Sequence, residues 1–387
     1  AMAVGALVVL LTGQISLGQA IQAIDTDVML FLFGMFVVGE ALIESGYLYF
    51  LAQRLFCRVR STDGMVLTLL MAGGAASALL MNDTLAIIGT PLVLRWAREH
   101  RIDSRLLLLA LAFAITIGSV PSPIGNPQNL LIASGGHVTA PFVTFFGALA
   151  LPTVVNLFIA YGVLRILFHR EFHATELVHG PVSVRVPALA ALVRLSLLLI
   201  IAAVIAKIML VAMRGTVSFP LSYIGLVGAL PLLLLSRQRL KLLWSIDWST
   251  LVFFAAMFIL MASVWQSGFL QMLIARLQPG HSALQILSIS LLLSQLISNV
   301  PMVALYLPVL THLGSAVPVL MALAAGSTIA GNFFILGAAS NVIIIQRAEN
   351  HGATLGFWTF ARAGIPLTFL NVCAYWLYLD WFYNAVR

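Results

Sequence analysis

Apolar runs on the scale of a lipid bilayer recur along the whole of this chain, with Leu189–Val211 and Leu251–Val264 as two of them. A backbone amide inside a ~30 Å hydrocarbon core has no water to bond, so a segment that crosses it closes its hydrogen bonds internally as a helix. Charged residues make up only 9% of the chain and hydrophobic ones 61%. A soluble domain carries about 25% charged residues, so no soluble surface can be made from this composition. The longest polar stretch, His169–Pro187, is too short to be a soluble domain. The net charge of +7 therefore reads as basic loops beside a membrane and not as an affinity for nucleic acid. Cys57 and Cys373 lie far apart and suggest neither a disulfide framework nor a metal site, and the histidines show no zinc spacing. The chain opens directly on Ala1–Leu11, as a first helix cut short would.

The sequence repeats itself. Asp25–Gly46 and Asp247–Gly268 align with Asp, Met-Phe and Ser-Gly in register. Asn82–Pro91 then matches Asn299–Pro308, and Thr116, Ile117, Gly125 and Asn129 match Thr328, Ile329, Gly337 and Asn341. Matches in Asn, Asp, Thr, Pro and Gly are not what apolar helices share by default, and such self-similarity defines the architecture. The basic residues orient the copies. Arg54, Arg58 and Arg60, then Arg95, Arg98, Arg101 and Arg105, then Arg165, Arg170, Arg185 and Arg194, then Arg237, Arg239 and Lys241, and finally Arg347 and Arg362 fall on one side if Met65–Leu94 enters the membrane and returns. Lys and Arg mark the cytoplasmic face. The span from Asp25 then runs inward and its copy from Asp247 outward.

The expected fold is an all-α polytopic membrane protein of two inverted repeats, each with a re-entrant hairpin and a broken helix. Residues 1–168 form the first repeat, with the hairpin over 65–95 and the broken helix over 104–136. Residues 169–213 form a cytoplasmic linker and one linking transmembrane helix, the odd crossing that inverts the second copy. Residues 214–387 form the second repeat, with the hairpin over 282–311 and the broken helix over 316–347. Interrupted helices in inverted repeats are the mark of alternating-access carriers.

The polar residues at membrane depth are the site candidates. The hairpin tips carry Asn82, Asp83 and Thr84 in one copy, and Ser298, Asn299 and Pro301 in the other. Asn and Ser suit a tip because they cap the next helix, and Pro301 fits a first turn. The run 118–129 holds three prolines, two glycines and two asparagines and cannot be continuous helix. It reads as two half-helices, the second starting near Pro127, with Ser119, Gly125, Asn126 and Asn129 at the link. Its counterpart carries Asn332, Ser340 and Asn341. Carbonyls that end a first half could ligate a cation, and the N–H groups that start a second half could meet an anion; the alternative is a kink without a ligand. Glu40, Glu44 and Asp83 are the acids within spans. A buried acid is costly and is a functional candidate by default. Asp83 is the first choice to carry a coupling proton or cation, with a helix cap as its alternative role, and Glu40 is second. Glu44 reads as an interface residue, and Lys207 as one that snorkels to the outer face. No arginine lies in these motifs, so no guanidinium clamp for a dianion is visible.

These motifs resemble the ion transporter superfamily, which includes divalent anion–sodium symporters, citrate carriers and arsenite permeases. Pro-Ile-Gly-Asn-Pro-Gln-Asn at 123–129 looks like the unwound-helix motif of its anion permeases, and the tips at 82–84 and 298–301 look like its paired hairpin tips. An Asn-Asp tip paired with an Asn-x-Pro tip is closest to the arsenite permease branch. The resemblance implies a scaffold plus a mobile transport domain, commonly as a homodimer, in a bacterial or archaeal cytoplasmic membrane. It implies no cofactor, and no metal beyond a transported or coupling sodium. An ionised Asp83 would repel a dicarboxylate unless neutralised, which favours a weak acid such as arsenite or proton coupling. A sodium/proton antiporter and a sodium-coupled di- or tricarboxylate symporter remain as alternatives. A channel would need a continuous polar pore, and an intramembrane enzyme a motif such as His-Glu-x-x-His, which is absent from the sequence.

Overall fold

The computed structural model describes residues 2–57, 59–136, 138, 140–172, 185–213, 219–269, 272, 282–314 and 316–382. Among these, all regular structure is helical. The first half runs α1 (Met2–Leu11), α2 (Leu17–Ala23), α3 (Thr26–Ser45), α4 (Tyr47–Phe56), α5 (Thr62–Leu79), α6 (Asn82–His100), α7 (Ser104–Ser119), α8 (Pro127–Gly135) and α9 (Pro141–Leu167). After α10 (Pro187–Ala212) come α11 (Ser222–Leu235), α12 (Arg239–Ser245), α13 (Trp248–Gln266), α14 (Ala283–Ile297), α15 (Asn299–His312), α16 (Val317–Ile329), α17 (Ala339–Asn350) and α18 (Phe357–Leu377). Most of the polar segment His169–Pro187 lies outside the described residues.

Local chemistry sets the ends. Asp25 caps α3 by accepting from the N–H groups of Asp27 and Val28, and Gly46 ends that helix in the left-handed region at φ 68°. Ser61 and Ser282 cap α5 and α14 in the same way. Pro91 in α6 and Pro308 in α15 each fall nine positions after the asparagine that opens the helix. The helices α3, α5, α9, α10 and α13 are long and apolar enough to cross a membrane. Only 17% of the α10 window is buried within the molecule, so this helix lies at the periphery and presents most of its surface outward. Both cysteines are exposed and free.

The packing has a recurrent plan. In the first half α5 lies along α7, and in the second α14 lies along α16. The halves interlock: α17 packs on α6 and α15 on α8, while α18 lies against α9. The α9–α18 contact is antiparallel, since Tyr378 donates to the Gly147 carbonyl at 3.2 Å and Thr153 meets the Tyr375 hydroxyl at 2.7 Å. Gly364 of α18 sits so close to the Asn332 carbonyl that a Cβ there would fall 2.0 Å from it. That contact holds the second interrupted segment against α18.

Candidate functional site

Helix α7 stops at Ser119 and α8 starts at Pro127. The link between them is folded on itself. Asn126 caps α8 by accepting from the Asn129 N–H at 2.9 Å, while its own amide donates to Ser119 Oγ at 2.9 Å and Thr328 Oγ1 at 3.3 Å. Asn129 is 0% exposed, and its amide nitrogen lies 3.0–3.1 Å from the carbonyls of Ser119, Val120 and Ser122. It thereby ties the end of α7 to the start of α8. Gly125 has no room for a side chain: a Cβ would come within 2.9 Å of the Ser119 and Ser77 carbonyls. Its carbonyl accepts the Asn82 N–H at 3.3 Å, joining the first tip to the link.

The second interrupted segment is bonded differently. Single 3-10 turns at Ala330–Asn332 and Ile335–Gly337 separate α16 from α17. Asn341 donates to the Gly331 carbonyl at 2.6 Å and Gln295 to the Ala330 carbonyl at 2.8 Å. Both polar side-chain atoms of Asn332, Ser340 Oγ and Asn341 Oδ1 are buried with no partner among the described residues. Asn129, the counterpart of Asn341, is bonded through both side-chain atoms, since its amide donates to the three carbonyls and its Oδ1 accepts from Thr328 at 3.4 Å. A buried oxygen without a partner is costly, so this segment offers open neutral ligands where the link between α7 and α8 is bonded internally.

Both tips and both second half-helices meet at one cavity of about 450 Å³. Asn82 and Asp83 contribute from α6, Ser298 to Pro301 from α15, Pro127 and Gln128 from α8, and Ala338 and Ala339 from the start of α17. The remaining wall comes from Asp247, Ser249, Thr250, Phe253 and Phe254 at the start of α13, and from Val342 and Ile343. No Lys, Arg or His lines it among the described residues. The helices α6, α15 and α17 begin here without a side-chain cap. That corrects the expectation that Asn82 and Ser298 cap: Met81 and Ser298 hold the cap positions, and Asn82 Oδ1 accepts only from the next N–H, that of Asp83, at 3.0 Å. Uncapped N-termini carry partial positive charge and attract anions. Ser298 adopts φ 69° and ψ 160°, a region that side chains rarely occupy.

Not every candidate reaches the cavity. Thr84 faces α3, where the missing side chain of Gly39 makes room for it. Ser119, Gly125, Asn126, Asn129, Asn332, Ser340 and Asn341 are absent from the lining. Glu40 lies away from the cavity, in an electrostatic group with Glu44, Lys241 and Arg347. Glu44 pairs with Lys241, and Lys207 ends on the Phe219 carbonyl. The sequence shows Gln128 only as part of the 123–129 motif and Thr328 only as a repeat match, and does not single out Ser249 or Thr250. Asp247 is a repeat match and in sequence marks only the start of a span. It caps α13 by accepting from the Thr250 N–H at 3.1 Å.

Residues 1–318 match the citrate transporter (CitMHS) family model. The chain belongs to this family. It is 29% identical to a 46 kDa membrane protein of Mycobacterium leprae, over 92% of this chain and 86% of that one. The P protein of Homo sapiens is 24% identical, over 94% of this chain and 54% of its own length. The crystal structure of the Alcanivorax borkumensis YdaH transporter superposes with a TM-score of 0.60 at 15% identity, covering 93% of this chain and 85% of that one. The family member described here is therefore an integral membrane transporter and not an enzyme.

Proposed function

We propose that this transporter is an ion-coupled secondary carrier. It moves a small anion or weak acid, such as an oxyanion or arsenite, by alternating access between two inverted repeats. The observation that carries the reading is the cavity itself. Three helix N-termini without side-chain caps converge on it, one carboxylate stands at a tip, and no basic side chain among the described residues lines it. Helix ends favour negative charge, while Asp83 and Asp247 oppose it unless a proton or cation is present. An acid that binds protonated, or an anion that binds with a coupling ion, satisfies both conditions. The buried unpartnered oxygens of Asn332, Ser340 and Asn341 are of the neutral kind that suits a monovalent cation.

Alternating access is supported by the repeated element order and the reciprocal packing of α17 on α6 and α15 on α8. The cavity is one-sided: Asp247 lines it and its repeat counterpart Asp25 does not. Asp247 follows the basic run Arg237, Arg239 and Lys241, which marks the cytoplasmic face. We read the conformation as inward-open.

The test is counterflow in proteoliposomes with radiolabelled arsenite, citrate and sulfate, beside vesicles without solute that are given a sodium or pH jump. Exchange of one of the three solutes, stimulated by one of the two ion gradients, is the expected result. Sodium-driven proton movement with no exchange of any solute would overturn the reading in favour of an antiporter.

A further inference from the structure

We propose that the phosphodiester of an anionic membrane lipid binds outside the transport cavity, in a pocket where α7, α9 and α18 meet. The pocket has a volume of about 250 Å³ and is lined by Arg105, Leu167, Phe168, Trp358, Thr359 and Arg362. Two guanidinium groups from different helices face one space, which is the arrangement that recognises phosphate oxygens.

The two arginines differ in what they have left to give. Arg105 is held by Asp103, with Nε 3.0 Å from both carboxylate oxygens and Nη2 2.6 Å from one. That pairing fixes the guanidinium in place and leaves Nη1 without an acceptor among the described residues. Arg362 is exposed and makes no ion pair among the described residues. Glu171 is the other acid nearby; it accepts the Asp103 N–H at 3.0 Å and faces Arg105. Of the two guanidinium groups that line the pocket, Arg362 is the one that no acid pairs among the described residues, so it can take the single charge of a phosphodiester.

The rest of the lining points to a lipid and away from a soluble anion. Trp358 is 81% exposed and Ile166, beside Leu167, is 75% exposed. An exposed indole next to apolar side chains is what the water–lipid boundary selects. Leu167, Phe168 and Trp358 would cover the glycerol and the first methylenes, while Thr359 and the arginines take the headgroup. Arg105 and Arg362 also belong to the basic set that marks the cytoplasmic face, whose leaflet carries anionic lipids in many cells.

The experiment uses the full chain, purified in detergent and stripped of lipid. Its melting temperature and bound-lipid count by native mass spectrometry are followed with added phosphatidylglycerol, phosphatidylcholine or inorganic phosphate. Phosphatidylglycerol should bind and stabilise, and the other two should not. Arg362→Gln should weaken phosphatidylglycerol binding about fivefold, the effect of one basic residue near the membrane surface. The double change with Arg105→Gln should abolish it, and Arg54→Gln, on a distant part of the chain, should leave it intact. Unfolding without lipid reports separately on the fold of each variant. Unchanged phosphatidylglycerol binding in a folded Arg362→Gln protein would overturn the proposal. So would equal stabilisation by inorganic phosphate, which would make this a free-anion site.

Discussion

Asn126 of the first half donates its side-chain amide to Thr328 of the second, 3.3 Å away and 202 positions later in the chain. Thr328 also receives Gln128 and donates to Asn129, both at 3.4 Å. One hydroxyl thus joins α16 to the link between α7 and α8. Thr328→Val keeps the shape and removes these bonds. A hydrogen bond contributes about 0.5–1.5 kcal/mol net, and an orphaned buried partner adds to its loss. The variant should melt a few degrees lower in detergent. Combined with Asn126→Ala, the losses should be less than additive; additive losses would show that the two side chains do not act together.

Ser298 occupies a backbone region that costs a residue with a Cβ on the order of 1–3 kcal/mol, at φ 69°. Ser298→Gly should therefore raise the melting temperature, and Ser298→Val should lower it. If glycine instead destabilised the protein, an interaction of the Ser298 hydroxyl would outweigh the strain.

Asp83 stands at the first tip in the cavity wall. Asp83→Asn keeps the size of the side chain and removes its charge. Solute exchange should remain measurable, while accumulation in response to an imposed pH gradient should disappear. Retained pH-driven accumulation would transfer the coupling role to another group, with Glu40 next.

Asp103 lies at the mouth of α7, outside the spans. Burial works against its charge, but the Arg105 guanidinium and backbone N–H more than offset this and hold the carboxyl below its ordinary value of 3.8. A lowered folded value means that the charged form stabilises the fold above the unfolded value, and that this contribution is lost as pH falls through the folded one. Asp103→Asn keeps the capping geometry. Wild type should be the more stable of the two at neutral pH, and the gap should close as pH falls below about 4. A gap independent of pH in thermal melts would show that the charge is not the source.

Orientation has its own check. Cysteines placed at Ser61 and Ser104 should react with a membrane-impermeant reagent from the cytoplasm, and one at Ser267 from outside. Reaction of Ser61 and Ser104 variants from opposite faces would make α5 and α6 a single crossing and remove the inversion.

Helix breaks were legible because their cause is local. Three prolines within 118–129 forbid continuous helix, and the chain there is interrupted from Val120 to Asn126. What faces the cavity was not legible, because it depends on how distant segments pack. Asn129 and Asp83 both read as polar residues at a break, yet one is buried in backbone bonds and the other lines the cavity. Asp247 carried a repeat signal, but nothing local says that the start of α13 forms a wall opposite the tips. Thr153 and Asn156 of α9 match Thr368 and Asn371 of α18 in spacing, and all four are fully or nearly fully buried. Isolated polar residues within apolar helices look alike in sequence until their partner helix is known.

Among the described residues no lysine, arginine or histidine lines the cavity, and for the carrier proposed above this has a consequence for turnover. A guanidinium anchored in a binding site stays with the protein, so it holds its cargo as firmly at the exit as at the entrance. A counter-charge borrowed from solution can depart when the cavity faces water again, and the grip on the cargo loosens with it. In a carrier built this way, release needs no separate trigger, and leakage of unaccompanied solute is suppressed by the same chemistry that sets the exchange ratio.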